Sequence, residues 1–313
     1  MNILETAKRV FSVEKDALEG ISKRLDSNFE EAAKRLYACS GRIVVCGMGK
    51  SGLIGKKIAA TFASIGRPAI FIHPSEAIHG DLGMLMQSDC FLSISNSGET
   101  DELLQLIPHI NRLGLAHICL CAVKSSTLAR NADFVLDIAV ESEASNLPAV
   151  PMASAITTLA MGHALAAVLI ELSGFKQEDF ALYHPGGSLG RKILTKISEL
   201  MNSDLPVVLA NSNLREVISV MSKGMLGLAL CLENGILIGI ITDGDLRRAL
   251  ERSRDQEFFS LKAEDIMTKN PKCIESNQSI LEAEELMNQY KIMALPVLEN
   301  MRPVGVIAKN MIR

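Results

Sequence analysis

Through residue 195 the chain alternates short apolar runs with longer amphipathic stretches. The runs 42-RIVVCG-47, 69-AIFIH-73, 90-CFLSIS-95, 117-HICLCA-122 and 133-DFVLDIAV-140 are almost continuously apolar. That pattern predicts strands buried on both faces of a sheet. Periodic stretches between them predict helices over 51–65, 99–113 and 151–173, and residues 3–38 read as helix with few breakers. Strands alternating with helices predict an α/β fold, a doubly wound parallel sheet, in which ligands bind beyond the carboxyl ends of the strands.

After about residue 195 the pattern changes to an internal repeat. Segment 197-ISELMNSDLPVV-208 resembles 264-EDIMTKNPKCI-274, and 234-NGILIGIITDGDLRRAL-250 resembles 300-NMRPVGVIAKNMI-312. A single offset pairs Met201 with Met267 and Gly239 with Gly305. Two units of about 60 residues, each strand–helix–strand–strand–helix, predict a closed α+β pair rather than a solenoid. The expected division is 1–195 and 196–313, with repeats at about 197–255 and 262–313 joined by the charged connector 252-RSRDQEFFS-260.

Composition narrows the function classes. The 313 residues suit about two domains. With 48% apolar and 22% charged residues, the chain has the balance of a globular protein with a core. A net charge of −4, three Tyr and no Trp give neither the basic surface nor the stacking platform expected of a nucleic-acid binder. The opening MNILETAKRVFSVEKD lacks the apolar centre of a signal peptide. The most apolar long segment, 154-SAITTLAMGHALAAVLIELSGF-175, is interrupted by His163 and Glu171 and reads as a buried helix, not a membrane span. None of the seven cysteines forms a C-x-x-C pair, and Cys119 and Cys121 share one face of a strand. Buried, reduced thiols and a cytoplasmic location are expected.

The first candidate site is 47-GMGKSG-52, between a strand and a helix. Its glycines let backbone N–H groups approach an anion at a helix N-terminus. The P-loop reading fails because position 44 is Val44. The dinucleotide reading wants an acid at the end of the second strand, where only Glu76 is offered, late and after a proline. A second loop, 93-SISNSGETDE-102, also joins a strand to a helix. Ser95, Ser97 and Thr100 surround Gly98 there, more hydroxyls than one helix cap requires. Together the loops suggest a cradle for a phosphate monoester, with Gly49 and Ser51 contributing from the first.

The GMGKSG and SNSGET loops on such a sheet resemble a sugar isomerase (SIS) domain. A SIS domain followed by two cystathionine-β-synthase (CBS) motifs resembles the bacterial arabinose-5-phosphate isomerases. The runs 72-IHPSEAIHGDLGM-84 and 180-FALYHPGGSLGRK-192 extend the likeness over nearly the whole chain. The resemblance implies aldose–ketose isomerisation between D-ribulose 5-phosphate and D-arabinose 5-phosphate. The product would feed 3-deoxy-octulosonate synthesis for lipopolysaccharide or capsule. It also implies a homo-oligomer, dimer or tetramer, and no cofactor.

Proton transfer through an enediol needs a carboxylate base and a His or Lys electrophile. The resemblance puts Glu102, Glu143 and His184 in the active site, with Glu143 as the base and His184 often lent by a neighbouring subunit. Lys50, unusually placed inside a glycine loop, suits either pairing with the phosphate or polarising a carbonyl oxygen. His79 resembles a further substrate-site position, although His79 and Asp81 also suit a loop-ordering role. Glu99 and Glu102 equally suit acids favoured by a helix dipole. His73, His79 and Asp81 lack a diagnostic metal spacing, and no metal is expected.

The chain departs from the family at 151-PMASAITT-158, where the isomerases usually carry Pro-Thr-Ser-Ser. Met152 and Ala153 replace two hydroxyl positions, and His163 replaces an aspartate. Each lost substrate hydrogen bond is worth about 0.5–1.5 kcal/mol. The altered segment, with 144-ASNLPAV-150, leaves open an isomerase of another sugar phosphate. A sugar-phosphate-sensing regulator without catalysis also stays open. In the repeats, 238-IGIITDGD-245 carries Thr242 and Asp245 of the family's ribose-contacting signature, whereas 304-VGVIAKNM-311 has Ala308 and Met311 there. One candidate nucleotide site results, with helix capping by Thr242 and Asp245 as the alternative.

Overall fold

The computed structural model describes residues 2–147, 149–253 and 258–312. Residue 148 of the 144–150 segment and residues 254–257 of the charged connector lie outside them. Two compact units form, Met1–Tyr183 and His184–Arg313.

The first unit is built on five parallel strands: β1 (Ile43–Gly47), β2 (Ala69–Ile72), β3 (Cys90–Ile94), β4 (Ala116–Cys121) and β5 (Phe134–Asp137). Their order is β2-β1-β3-β4-β5. Ile43 stands beside Ala69 on one side and Cys90 on the other. The chain therefore leaves β1 in one direction to reach β2 and crosses back to reach β3. That reversal makes the crevice beyond Gly47 and Ile94 the topological switch point, where open α/β sheets bind ligands.

Both faces are covered, as near-continuous apolar strands require. Ile43 and Val45 face a cluster with Ile58 and Phe62 of α3 (Gly49–Ser64) and Met161, Leu165 and Leu169 of α8 (Ala153–Ser173). Val44 and Cys46 face the opposite cluster, with Leu103, Leu106, Ile110 and Leu128. Cys119 and Cys121 share that second face. All seven thiols are free, and burial pushes that of Cys46 up to about 12. Helix α8 is long and apolar enough to span a bilayer by length and composition. Here it is a core helix, tied to the end of β5 by the Thr157 hydroxyl donating to the Ile138 carbonyl at 3.1 Å.

Two expected helices are each divided. The 3–38 stretch forms α1 (Ile3–Lys23) and α2 (Ser27–Tyr37). Arg24 leaves the helix to bond Asp137, and Asp26 caps the new helix at the Asn28 N–H. The 99–113 stretch forms α5 (Asp101–Leu104) and α6 (Ile107–Leu113), with Pro108 in the first turn of the second. Proline has no N–H to continue the ladder, which suits a helix start. Between β2 and β3 lies α4 (Pro74–Ile78), and α7 (Thr127–Arg130) lies between β4 and β5.

In the second unit each repeat holds an antiparallel hairpin, Leu228–Glu233 with Ile236–Thr242 and Ala294–Glu299 with Arg302–Ala308. The repeats also exchange their entry segments. Thr268 and Lys269 pair onto Ile240 and Gly239, and Asn202 bridges to Val306. A Cβ on Gly239 would meet the Met267 sulfur at 2.7 Å, and one on Gly305 the Met201 sulfur at 2.5 Å. The methionine and glycine matched by the sequence offset thus pack crosswise between repeats. Residues 184–195, which the sequence division assigns to the first domain, pack within this unit: Lys192 pairs with Glu284 at 2.6 Å.

Candidate active site

A cavity of about 220 Å³ opens in the first unit, lined in part by Lys50, Ser51, Asn96, Glu143, Ser154 and Thr158. Lys50 and Ser51 come from the first turn of α3, and Asn96 from the loop leaving β3. The adjacency of β1 and β3 brings these two loops together. Gly52 lets α3 start tight against the strand, since a Cβ there would lie 2.5 Å from the Gly47 carbonyl oxygen. Gly49 starts the helix at φ +57° in open space.

The second loop is closed upon itself. The Ser95 hydroxyl is buried, lies 2.8 Å from the Thr100 hydroxyl, and accepts the Gly98 N–H at 3.0 Å. Ser97 accepts the Glu99 N–H at 3.2 Å and stays exposed. Gly98, at φ +68°, lies so near Ser126 that an added Cβ would be 2.0 Å from its oxygen. Glu99 accepts the Thr127 N–H at 2.7 Å, and that backbone bond, with one from the Thr127 side chain, holds its carboxyl below the usual range. Glu99 therefore ties the loop to α7. Glu102 is half-buried on the first turn of α5.

Glu143 meets the start of α8. Its Oε2 accepts the N–H groups of Met152 and Ala153, both at 2.7 Å, and the Ser154 N–H lies 3.3 Å from Oε1 and 3.4 Å from Oε2. Met152 supplies no side-chain cap. His79 is exposed at the end of α4, and His163 is exposed on α8. His184 lies in the second unit, in a turn closed by the Gly187 N–H on its carbonyl at 3.1 Å. Among the described residues, no cluster of three or more His, Cys, Asp or Glu side chains is arranged for a metal ion.

Ser154 is the hydroxyl position that remains in the altered 151–158 run, whereas no motif pointed to Asn96 or Thr158. Asn96 stands inside the SNSGET loop, two positions beyond the end of β3, where the chain has left the doubly covered sheet and the side chain is exposed. Pro151, Ser154, Ala155 and Thr158 fall three and four residues apart, so they form one stripe at the start of α8.

In the second unit a cleft of about 660 Å³ is lined by Leu228, Ile240, Thr242, Arg248, Lys272 and Lys291, among others. Asp245 is turned to internal work. It accepts the Thr242 N–H at 2.8 Å and hydroxyl at 2.6 Å, the Thr268 hydroxyl at 3.1 Å, and a bond from Arg248. Burial raises its carboxyl, but these bonds prevail and hold it below the usual range. Thr242 in turn caps the helix Asp243–Arg252.

These features define a SIS domain followed by a CBS pair: the SIS domain family matches residues 36–168 and the CBS domain family residues 197–252 and 263–312. A Haemophilus influenzae protein named "Probable arabinose 5-phosphate isomerase" is 47% identical over 300 residues, covering 96% of this chain and 89% of its own. Arabinose 5-phosphate isomerase KdsD of Pseudomonas aeruginosa is 42% identical, over 98% of this chain and 95% of its own. A solved Escherichia coli CFT073 structure in complex with arabinose 5-phosphate is 41% identical, with a TM-score of 0.57, covering 59% of this chain and all of that one. The chain belongs to the arabinose 5-phosphate isomerase family.

Proposed function

We propose that the chain interconverts D-ribulose 5-phosphate and D-arabinose 5-phosphate through an enediol, in the cytoplasm, supplying 3-deoxy-octulosonate synthesis. The observation that carries this reading is the convergence of Lys50, Ser51, Asn96 and Glu143 on one cavity at the sheet's switch point. The phosphate sits on the two loops, with Ser51, Ser97 and Thr100 as contacts and Ser95 ordering the second loop. Glu143 takes the C2 proton of the open-chain aldose, and the C–H electron pair becomes the C1=C2 bond. Lys50 stabilises the charge on the C1 oxygen. Glu143 then returns its proton to C1 while the C2 hydroxyl proton passes to the C1 oxygen. His184 serves ring opening and this last transfer, supplied across a dimer or tetramer of the chain. Glu102 and His79 complete the substrate site.

The CBS pair takes a nucleotide effector in the 660 Å³ cleft, where Thr242 and three cations border apolar walls. Asp245 acts there indirectly, by fixing Thr242 and Arg248.

Incubation with ribulose 5-phosphate in deuterated water tests the reaction. Deuterium at C2 of the recovered arabinose 5-phosphate is expected; an aldose without it would sink the enediol reading. A panel of pentose and hexose phosphates assayed for turnover separates this substrate from its relatives, and binding without turnover would favour a sensor.

A further inference from the structure

The start of α8 poses a separate question of how the base is held. A helix leaves its first N–H groups without partners inside the helix. A side chain at the residue before the helix commonly takes one of them, but Met152 cannot. Glu143 supplies the acceptor from ten residues upstream, and it does so unevenly. Oε2 holds two N–H groups at 2.7 Å, while the contact to Oε1 is one N–H at 3.3 Å. The same side chain lines the cavity with Lys50. The helix offering the amides is 21 residues long and carries Ala153, Thr157, Met161, Leu165 and Leu169 into the core. It is therefore among the firmest supports in this unit for an anion at its N-terminus.

We propose that the first-turn amides of α8 are the positioning device of the reaction. They fix Glu143 through Oε2 and leave Oε1 to carry the proton between C2 and C1. This rests on the isomerase reading above. It also gives a consequence of the family departure at 152 and 153. With no hydroxyl before the helix, the capping duty falls on the base itself.

Three variants of the full chain test it: Glu143→Gln, Glu143→Asp and Glu143→Ala. Glutamine keeps an acceptor oxygen for the amides, so its melting temperature should stay near that of the parent. Alanine removes the acceptor and should melt lower by about 2–6 °C. Aspartate is a methylene shorter and cannot hold the amides and reach the substrate together. Its kcat should fall by about a hundredfold or more with KM within about threefold, the pattern of a misplaced group. A Glu143→Ala protein that melts with the parent, or a Glu143→Asp protein with near-parent kcat, would overturn the anchoring. A fully active Glu143→Gln protein would instead remove Glu143 as the base, whatever the melting temperatures show.

Discussion

The two loops at the switch point do opposite things with similar residues. Residues 47–52 leave their chemistry open, with Lys50 and Ser51 facing the cavity and Gly49 in free space. Residues 95–100 consume much of theirs. Ser95 binds Thr100 and the Gly98 amide, Ser97 binds the Glu99 amide, and Glu99 binds α7. A hydroxyl-rich loop is therefore not the same as a loop of free donors. In the proposed reaction, one loop would supply reactive groups and the other a fixed shape against which the phosphate is held.

The largest expected contrast is in turnover. Replacing Lys50 with Met removes the one cation of the open loop, and kcat should fall by about a hundredfold to a thousandfold. Because Lys50 is exposed, the melting temperature should not move. Steady-state kinetics beside a thermal melt checks both halves, and a large drop in melting temperature would mean that Lys50 is bound into the fold and the loop is not open. Next comes a matched pair of glycines. Gly98→Ala meets both a positive φ and a Cβ 2.0 Å from the Ser126 oxygen, and should cost about 2–4 kcal/mol. Gly49→Ala, at φ +57° in open space, should cost only about 1–2 kcal/mol. Denaturant titration of both variants measures the difference, and equal losses would erase the contrast. Smaller again is the hydroxyl pair. Ser95→Ala strips partners from Thr100 and Gly98 in a buried place and should cost about 1–2 kcal/mol, whereas Ser51→Ala should stay within about 0.5 kcal/mol and act on KM.

The parallel sheet was legible because its strands are apolar on both faces, and the repeat was legible because a single offset matched Met201 and Gly239 to their partners. The divided helices were less so. Arg24 leaves α1 for Asp137, more than a hundred residues away, and no local pattern announces that bond. Pro108 was visible in the sequence and marks where the second of the divided helices begins. At the site, residue types located the loops, but not which hydroxyls were already bonded. Asp245 illustrates the same limit. The capping alternative anticipates its bonds to Thr242, but nothing in the sequence announces those to Arg248 and Thr268. Ser154 was legible as the remaining hydroxyl of its run, and Thr158 lies one helical turn beyond it on the same stripe.

The smallest effect concerns the tie between the closed loop and α7. The Thr127 backbone N–H, together with a bond from the Thr127 side chain, holds the exposed Glu99 carboxyl below its ordinary value. A group whose carboxyl is depressed by folding adds stability above its unfolded value, and loses it as pH falls through the folded one. The contribution should therefore be constant near neutrality and disappear only in the acid range below the ordinary glutamate value of about 4.3. Glu99→Gln should flatten that part of the stability profile slightly and leave the neutral plateau almost unchanged. Urea melts across the acid range, with Ser97→Ala as a comparison, would read it. An acid limb as steep as the parent's would show that Glu99 does not fasten the second loop, and the contrast with the open loop would then rest on Ser95 and Gly98 alone.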